Sequence, residues 1–179
     1  MRSSDLLHKS DAYRLGSFAL LGAVTVILAA LAFQYLGKYD PCPLCLQQRW
    51  AYYAAIPALF GGLILLASGR TSAAGLIFLL VSIAFLANAG LGVYHAGAEW
   101  KFWPGPDTCA VTARPLGIGG GGILKQLENV RVARCDEAAW RFLGLSFAGW
   151  NVVTSMLLWI TSQAAAFATT RLGQVARVA

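Results

Sequence analysis

Asp40–Gly69 reads DPCPLCLQQRWAYYAAIPALFGGLILLASG, a C-x-x-C pair followed by a run from Trp50 to Gly69 without a charged residue. A run of that length matches the roughly 20 apolar residues that cross a bilayer. The dithiol of Cys42 and Cys45 therefore stands at the mouth of a membrane helix, where exposed N–H groups and the helix dipole favour a thiolate. Three more charge-free stretches surround it, between Arg14 and Lys38, from Thr71 to Tyr94 and from Phe142 to Thr170. With 58% apolar and 12% charged residues, the composition lies far from that of a soluble domain. The expected fold is an all-α integral membrane protein, a four-helix transmembrane bundle forming a single membrane domain over 1–179. Its spans are expected near 15–36, 50–68, 72–94 and 143–168. The outer loops are then 37–49 and 95–141, the second long and partly mobile.

Basic residues set the expected orientation. Arg2, Lys9 and Arg14 precede the first span, Arg70 lies between the second and third, and Arg171 and Arg177 follow the fourth. Four spans put all of these on one side, against only Lys38 and Arg49 in the short opposite loop. The positive-inside rule makes both termini cytoplasmic, and long translocated loops count little in it. The net charge of +6 thus reads as topology and lipid contact rather than nucleic-acid binding. Ala30-Leu31-Ala32 resembles a signal-peptidase site, but the apolar run before it is longer than a signal h-region, so the first span is expected to stay.

All four cysteines, Cys42, Cys45, Cys109 and Cys135, fall on the other side. An even count in an oxidising compartment points to disulfides, and two structural bridges are one reading. A ring as small as Cys42 to Cys45 restrains little of the unfolded chain, so that pair is better suited to redox exchange. A zinc ribbon would need a second close-spaced pair, which Cys109 and Cys135 do not provide. A c-type haem would need histidine where Leu46 stands. Arg49, one helical turn after Cys45, is a cation placed to favour a thiolate or to anchor the helix end.

Pro41-Cys42-Pro43-Leu44-Cys45 with Gln47-Gln48-Arg49, four spans, a second cysteine pair in a long outer loop, and Cys135-Asp136-Glu137 followed by Trp140-Arg141-Phe142-Leu143-Gly144-Leu145 together resemble the disulfide bond formation protein B (DsbB) family. The resemblance covers nearly the whole chain. It implies a bacterial inner-membrane protein dithiol:quinone oxidoreductase that reoxidises a periplasmic DsbA-type thioredoxin-fold oxidase and reduces ubiquinone or menaquinone. On that resemblance Cys109 forms the mixed disulfide with the partner and Cys135 is its companion. Cys42 and Cys45 exchange with the quinone, Arg49 lies at the quinone site, and His95 is a further candidate for the same pocket.

Disulfide exchange proceeds by thiolate attack through mixed disulfides. A reduced partner attacking Cys109–Cys135 would release a thiolate able to attack Cys42–Cys45. With every cysteine on one side, no cysteine relay crosses the bilayer, so the electron acceptor must be membrane-soluble or outside. In the rest of the long loop, Gly117 to Gly122 reads as a linker without the Gly-Lys-Ser/Thr ending of a phosphate loop. Ile123, Leu124, Leu127 and Val130 fall on one face of a short amphipathic helix. Trp100, Phe102, Trp103, Trp140 and Phe142 fit interfacial belts. Asn88, Asn151 and Gln163 are expected to hydrogen-bond between helices.

Overall fold

Each charge-free run forms a helix because a chain in lipid must satisfy its backbone internally. The computed structural model describes residues 3–106 and 135–178, and the expected glycine linker and amphipathic helix lie outside them. Helix α1 is Ser3–Tyr35, α2 Pro43–Ala67, α3 Thr71–Glu99 and α4 Phe147–Val178. Each contains a stretch long and apolar enough to cross a membrane: Ser10–Tyr35, Pro43–Ala67, Thr71–Glu99 and Phe147–Leu172. Large apolar side chains such as Phe18, Phe60, Ile83 and Leu157 point outward. That is how a helix surrounded by lipid differs from one at an aqueous surface.

The helices pack in a ring, α1 against α2 and α4, and α3 against α2 and α4. Small residues let α3 and α4 come close. A Cβ at Gly92 would lie 2.8 Å from Val152, and one at Gly75 would lie 2.6 Å from the Thr169 hydroxyl. Leu59, Leu66, Phe78 and Phe85 fill the core with Ala12, Ala19 and Ala165. Polar groups tie the helices at mid-depth. The Tyr52 hydroxyl donates to Asn151 Oδ1 at 2.8 Å, Asn88 donates to Ser155 at 2.9 Å, and Ser82 donates to Gln163 at 2.6 Å. Such bonds bind helices where lipid offers no alternative partner.

The connections place the chemistry. Cys42, in extended conformation, is the N-cap of α2, and Pro43 occupies the first helical position, where its missing N–H costs nothing. At the other end of α2, Gly69 adopts φ 76° and the chain turns directly into α3. Ahead of α4 lies a feature that composition alone does not show, the antiparallel hairpin of β1 (Arg141–Phe142) and β2 (Leu145–Ser146). Its two-residue turn, Leu143 and Gly144, has positive φ at both positions, the geometry of a tight primed turn. The apolar letters of Leu143 and Leu145 extend the fourth charge-free run, yet α4 begins only at Phe147. Ser146 caps it, accepting the Gly149 N–H at 3.2 Å.

Candidate active site

Three cysteine sulfurs converge above the bundle. Cys42 Sγ accepts the Cys45 backbone N–H at 3.3 Å, so a thiol takes the capping place usually filled by a hydroxyl or carboxylate. The Cys45 sulfur is 3.0 Å away. Both are free thiols, whereas Cys135 is disulfide-bonded. Cys135 is fully buried in a small cluster with Cys42 and Leu44. Cys42 Sγ, a His95 ring nitrogen and Cys135 Sγ all lie within 4.8 Å of one another. Because Cys135 is already bonded, that compactness suits sulfur-to-sulfur exchange better than cation binding. Cys109 lies outside the described residues.

The Cys42 thiol is lowered from its ordinary 9.0 to about 5. The hydrogen bond from the Cys45 thiol contributes most; burial opposes it, and the hydrogen bonds of His95 and of the Cys45 amide add to the lowering. A thiolate so held stabilises the reduced pair and makes the corresponding disulfide a stronger oxidant.

His95 is buried, with Nε2 3.6 Å from Cys42 Sγ and 3.8 Å from Glu99 Oε1. Its Nδ1 is 3.0 Å from Gln48 Nε2. An amide NH₂ can only donate, so this assignment leaves the neutral ring's proton on Nε2, facing both Cys42 and Glu99. The Ser146 hydroxyl donates to the other Glu99 oxygen, Oε2. Ser146, Glu99 and Gln48 are all buried.

Below the sulfurs opens a cavity of about 760 Å³, with Cys42, Cys45 and His95 in its wall. Val26, Ile27, Ala30 and Phe33 give it an apolar side on α1. Arg49 points to that side, where its guanidinium donates to Gln34 Oε1 and reaches the Ala30 carbonyl at 3.5 Å. The group beside the Cys42 sulfur is thus His95, while Arg49, one turn after Cys45, faces the cavity from below. Deeper in the wall, Asn151 has a buried Nδ2 without a hydrogen-bond partner among the described residues. Trp140, placed by sequence in an interfacial belt, stacks on Phe147 at 5.0 Å and lies 5.3 Å from Phe33, closing the cavity's upper side.

Sequence reading singled out Cys42, Cys45, Cys109, Cys135, Arg49 and His95; Cys42, Cys45, Arg49 and His95 line one cavity, Cys135 is buried beside Cys42 outside its wall, and Cys109 lies outside the described residues. That reading gave no role to Gln34, Glu99 and Ser146, and named Gln48 only as part of a motif. Glu99 had a signal: an acid four residues after His95, at the end of a span, in a chain with only 8 acidic residues. Ser146 had none, because the hairpin that brings it under Glu99 is invisible in hydropathy.

Comparison with known proteins gives this geometry a family. The sequence matches the family described as disulfide bond formation protein DsbB over residues 13–165. A disulfide bond formation protein B of Shewanella sp. (strain ANA-3) is 32% identical over 149 residues, 76% of this chain and 77% of that protein. The Acidovorax sp. (strain JS42) protein of the same name is 29% identical over 155 residues, 78% of this chain and 79% of that one. An uncharacterized protein of Rickettsia prowazekii is 26% identical over 155 residues, 85% and 87% of the two chains. No solved structure matches. A bundle of four membrane-type helices carrying a C-x-x-C cap beside a buried disulfide cysteine, matched over most of its length, belongs to the DsbB family of disulfide bond formation proteins.

Proposed function

We propose that this chain reoxidises a periplasmic DsbA-type thioredoxin-fold protein and passes the electrons to membrane ubiquinone or menaquinone, acting as a protein dithiol:quinone oxidoreductase of the bacterial inner membrane. The observation that carries this reading is the position of the Cys42 sulfur, within 4.8 Å of Cys135 Sγ and in the wall of the 760 Å³ cavity. One sulfur thus stands between the two halves of the electron path. In this reading both termini are cytoplasmic and the cysteine end is periplasmic, supported by the excess of basic residues at the ends of the spans on the terminal side.

The partner's thiolate attacks Cys109 and opens the Cys109–Cys135 disulfide, and the freed Cys135 thiolate attacks Cys42 of an oxidised Cys42–Cys45 pair. The partner's second thiolate then attacks its own sulfur in the mixed disulfide and releases Cys109, whose thiolate attacks Cys135 of the Cys42–Cys135 bridge. This re-forms Cys109–Cys135 and leaves the Cys42–Cys45 pair reduced, with its negative charge on Cys42, where the Cys45 thiol, the α2 amide and His95 stabilise it. A quinone accepts two electrons and two protons from a dithiol. The cavity suits such a ring: apolar walls from α1, an arginine held by Gln34 to meet negative charge on an oxygen, and the unpartnered Asn151 N–H as a second donor. An inert structural role for the cysteines fits less well, since Cys42 is held as a thiolate at neutral pH.

The test is to replace Cys45 with serine, oxidise the protein and map its disulfides by peptide mass spectrometry. A Cys42–Cys135 bridge is the expected product. Its absence, with Cys42 alkylated in full, would overturn the exchange path.

A further inference from the structure

Two buried acids compete for one donor at the mouth of the cavity. Cys42 Sγ is 3.6 Å and Glu99 Oε1 3.8 Å from the same His95 nitrogen, Nε2. The ring is held from behind by Gln48 at 3.0 Å on Nδ1, so Nε2–H has these two acceptors to choose between. Relative exposures of 4% for Cys42 and 8% for Glu99 leave little water to solvate either anion. Two negative charges on one side of a neutral imidazole would repel strongly and be poorly compensated. One charge, moving between the two, is compatible with this geometry.

We infer that Cys42 and Glu99 share a single negative charge, which sits on the Cys42 sulfur while the dithiol is reduced and on the Glu99 carboxylate once the Cys42–Cys45 disulfide has closed. The His95 Nε2–H turns toward whichever group is charged. Ser146 prepares Glu99 for both states: its hydroxyl donates to Oε2, and its oxygen is itself held by the Gly149 N–H at the start of α4. This inference rests on the redox cycling of Cys42 and Cys45 proposed above.

The step balances. Reduced, the site holds a Cys42 thiolate, a Cys45 thiol and a Glu99 carboxylic acid; oxidised, it holds a disulfide and a Glu99 carboxylate. Two electrons and two protons leave, one proton from Cys45 and one from Glu99, and the sum of charge at the site stays at minus one. Glu99 lines the cavity, so its proton leaves where the electrons do. The charged and titratable groups facing the pair are Cys45 at the start of α2, His95 on its own helix and Arg141 of the hairpin, whose positive field reaches Glu99. Across the cavity the wall carries Lys38, Asp40, Arg49 and Glu137, two cations and two anions that cancel.

The test is the pH dependence of the Cys42–Cys45 equilibrium with a glutathione redox buffer, corrected for glutathione's own protons. It is read by alkylation and peptide mass mapping on the full chain in nanodiscs without quinone. With Glu99 taking part, the equilibrium constant changes about 100-fold per pH unit between pH 6 and 7.5, equivalent to about 59 mV. In Glu99→Gln, which has no second seat for the charge, the change falls to about tenfold, or about 30 mV. Glu99→Asp keeps the steep slope, and Asp11→Asn, an exposed acid at the far end of α1, leaves it unchanged. A tenfold slope in the unaltered protein, or the steep slope in Glu99→Gln, overturns the inference. The unaltered protein suffices for the first outcome even if a variant fails to fold. Neither measurement uses quinone or partner, so failure to reduce quinone would count against the proposed function and leave this result standing.

Discussion

Cys42 does at the residue scale what its neighbours on the helix cannot: it caps α2 with sulfur, faces a histidine and lies beside a disulfide cysteine. Its depressed pKa of about 5 has a direct kinetic consequence. Alkylation of Cys42 in the reduced protein should rise through about pH 5 and be flat above pH 6.5, whereas an ordinary thiol would still be gaining reactivity at pH 8. Iodoacetamide labelling followed by peptide mapping would read the midpoint, and a midpoint near 8 would refute the capped, histidine-paired thiolate. Arg49 carries a second expectation. Its hold on α1 runs through Gln34, so Gln34→Ala should raise the KM for quinone about tenfold with a smaller change in kcat, the loss of one charge-assisted hydrogen bond. Equal KM values for the two proteins would mean that Gln34 does not position the arginine. The C-x-x-C pair and Arg49 one turn after it stood out in sequence because their type and spacing carry chemistry, whereas His95 entered only through the family resemblance. Gln34, and the partner of Gln48, did not stand out, because a glutamine on an apolar helix has no partner until the helices are packed.

The elements were legible in proportion to how far hydropathy determines them. Lipid demands helices and the charge-free runs supplied four, but the ends of the helices obey other physics. Helix α2 begins at Pro43 and takes in Arg49, ahead of its apolar run, because Cys42 and Pro43 form an N-terminus and a long cation can reach across to α1. The hairpin before α4 depends on backbone sterics at Leu143 and Gly144, which apolar lettering conceals. Gly144 sits at φ 81°, so Gly144→Val should cost about 1–2 kcal/mol and loosen Ser146 from Glu99. Denaturation in detergent together with amide exchange at Gly149 would register both effects, and unchanged stability would argue that the turn can relax. On α3, a Cβ at Gly97 would strike the indole of Trp103, which donates to the Tyr94 carbonyl at 2.9 Å and stacks on the Tyr94 ring. Gly97→Leu should therefore expel Trp103 and shift its fluorescence to the red, with α3 itself intact by circular dichroism; an unchanged emission would contradict that packing.

At the scale of the whole molecule, the bundle is a holder that fixes one end of α2 against one end of α3. The interhelical hydrogen bonds of Tyr52 and Asn88 set the depth at which the cavity stops, and the close approach at Gly75 and Gly92 sets the spacing of α3 and α4. That architecture was readable as four spans. What was not readable is that the last helix, through its cap Ser146 on β2 and through Asn151, helps to build the site whose named residues lie on α2 and α3. Long-range juxtapositions of this kind leave no trace in composition or period. The central claim is that electrons pass from a partner dithiol through Cys42 to a quinone in the cavity. The most direct measurement is the absorbance of ubiquinone and menaquinone in nanodiscs without oxygen, after adding reduced DsbA-type protein to this chain and to its Cys42→Ser variant. Rapid quinone reduction by the unaltered protein, absent in the variant, is the result expected. No reduction with either quinone, or equal reduction by the variant, would contradict it.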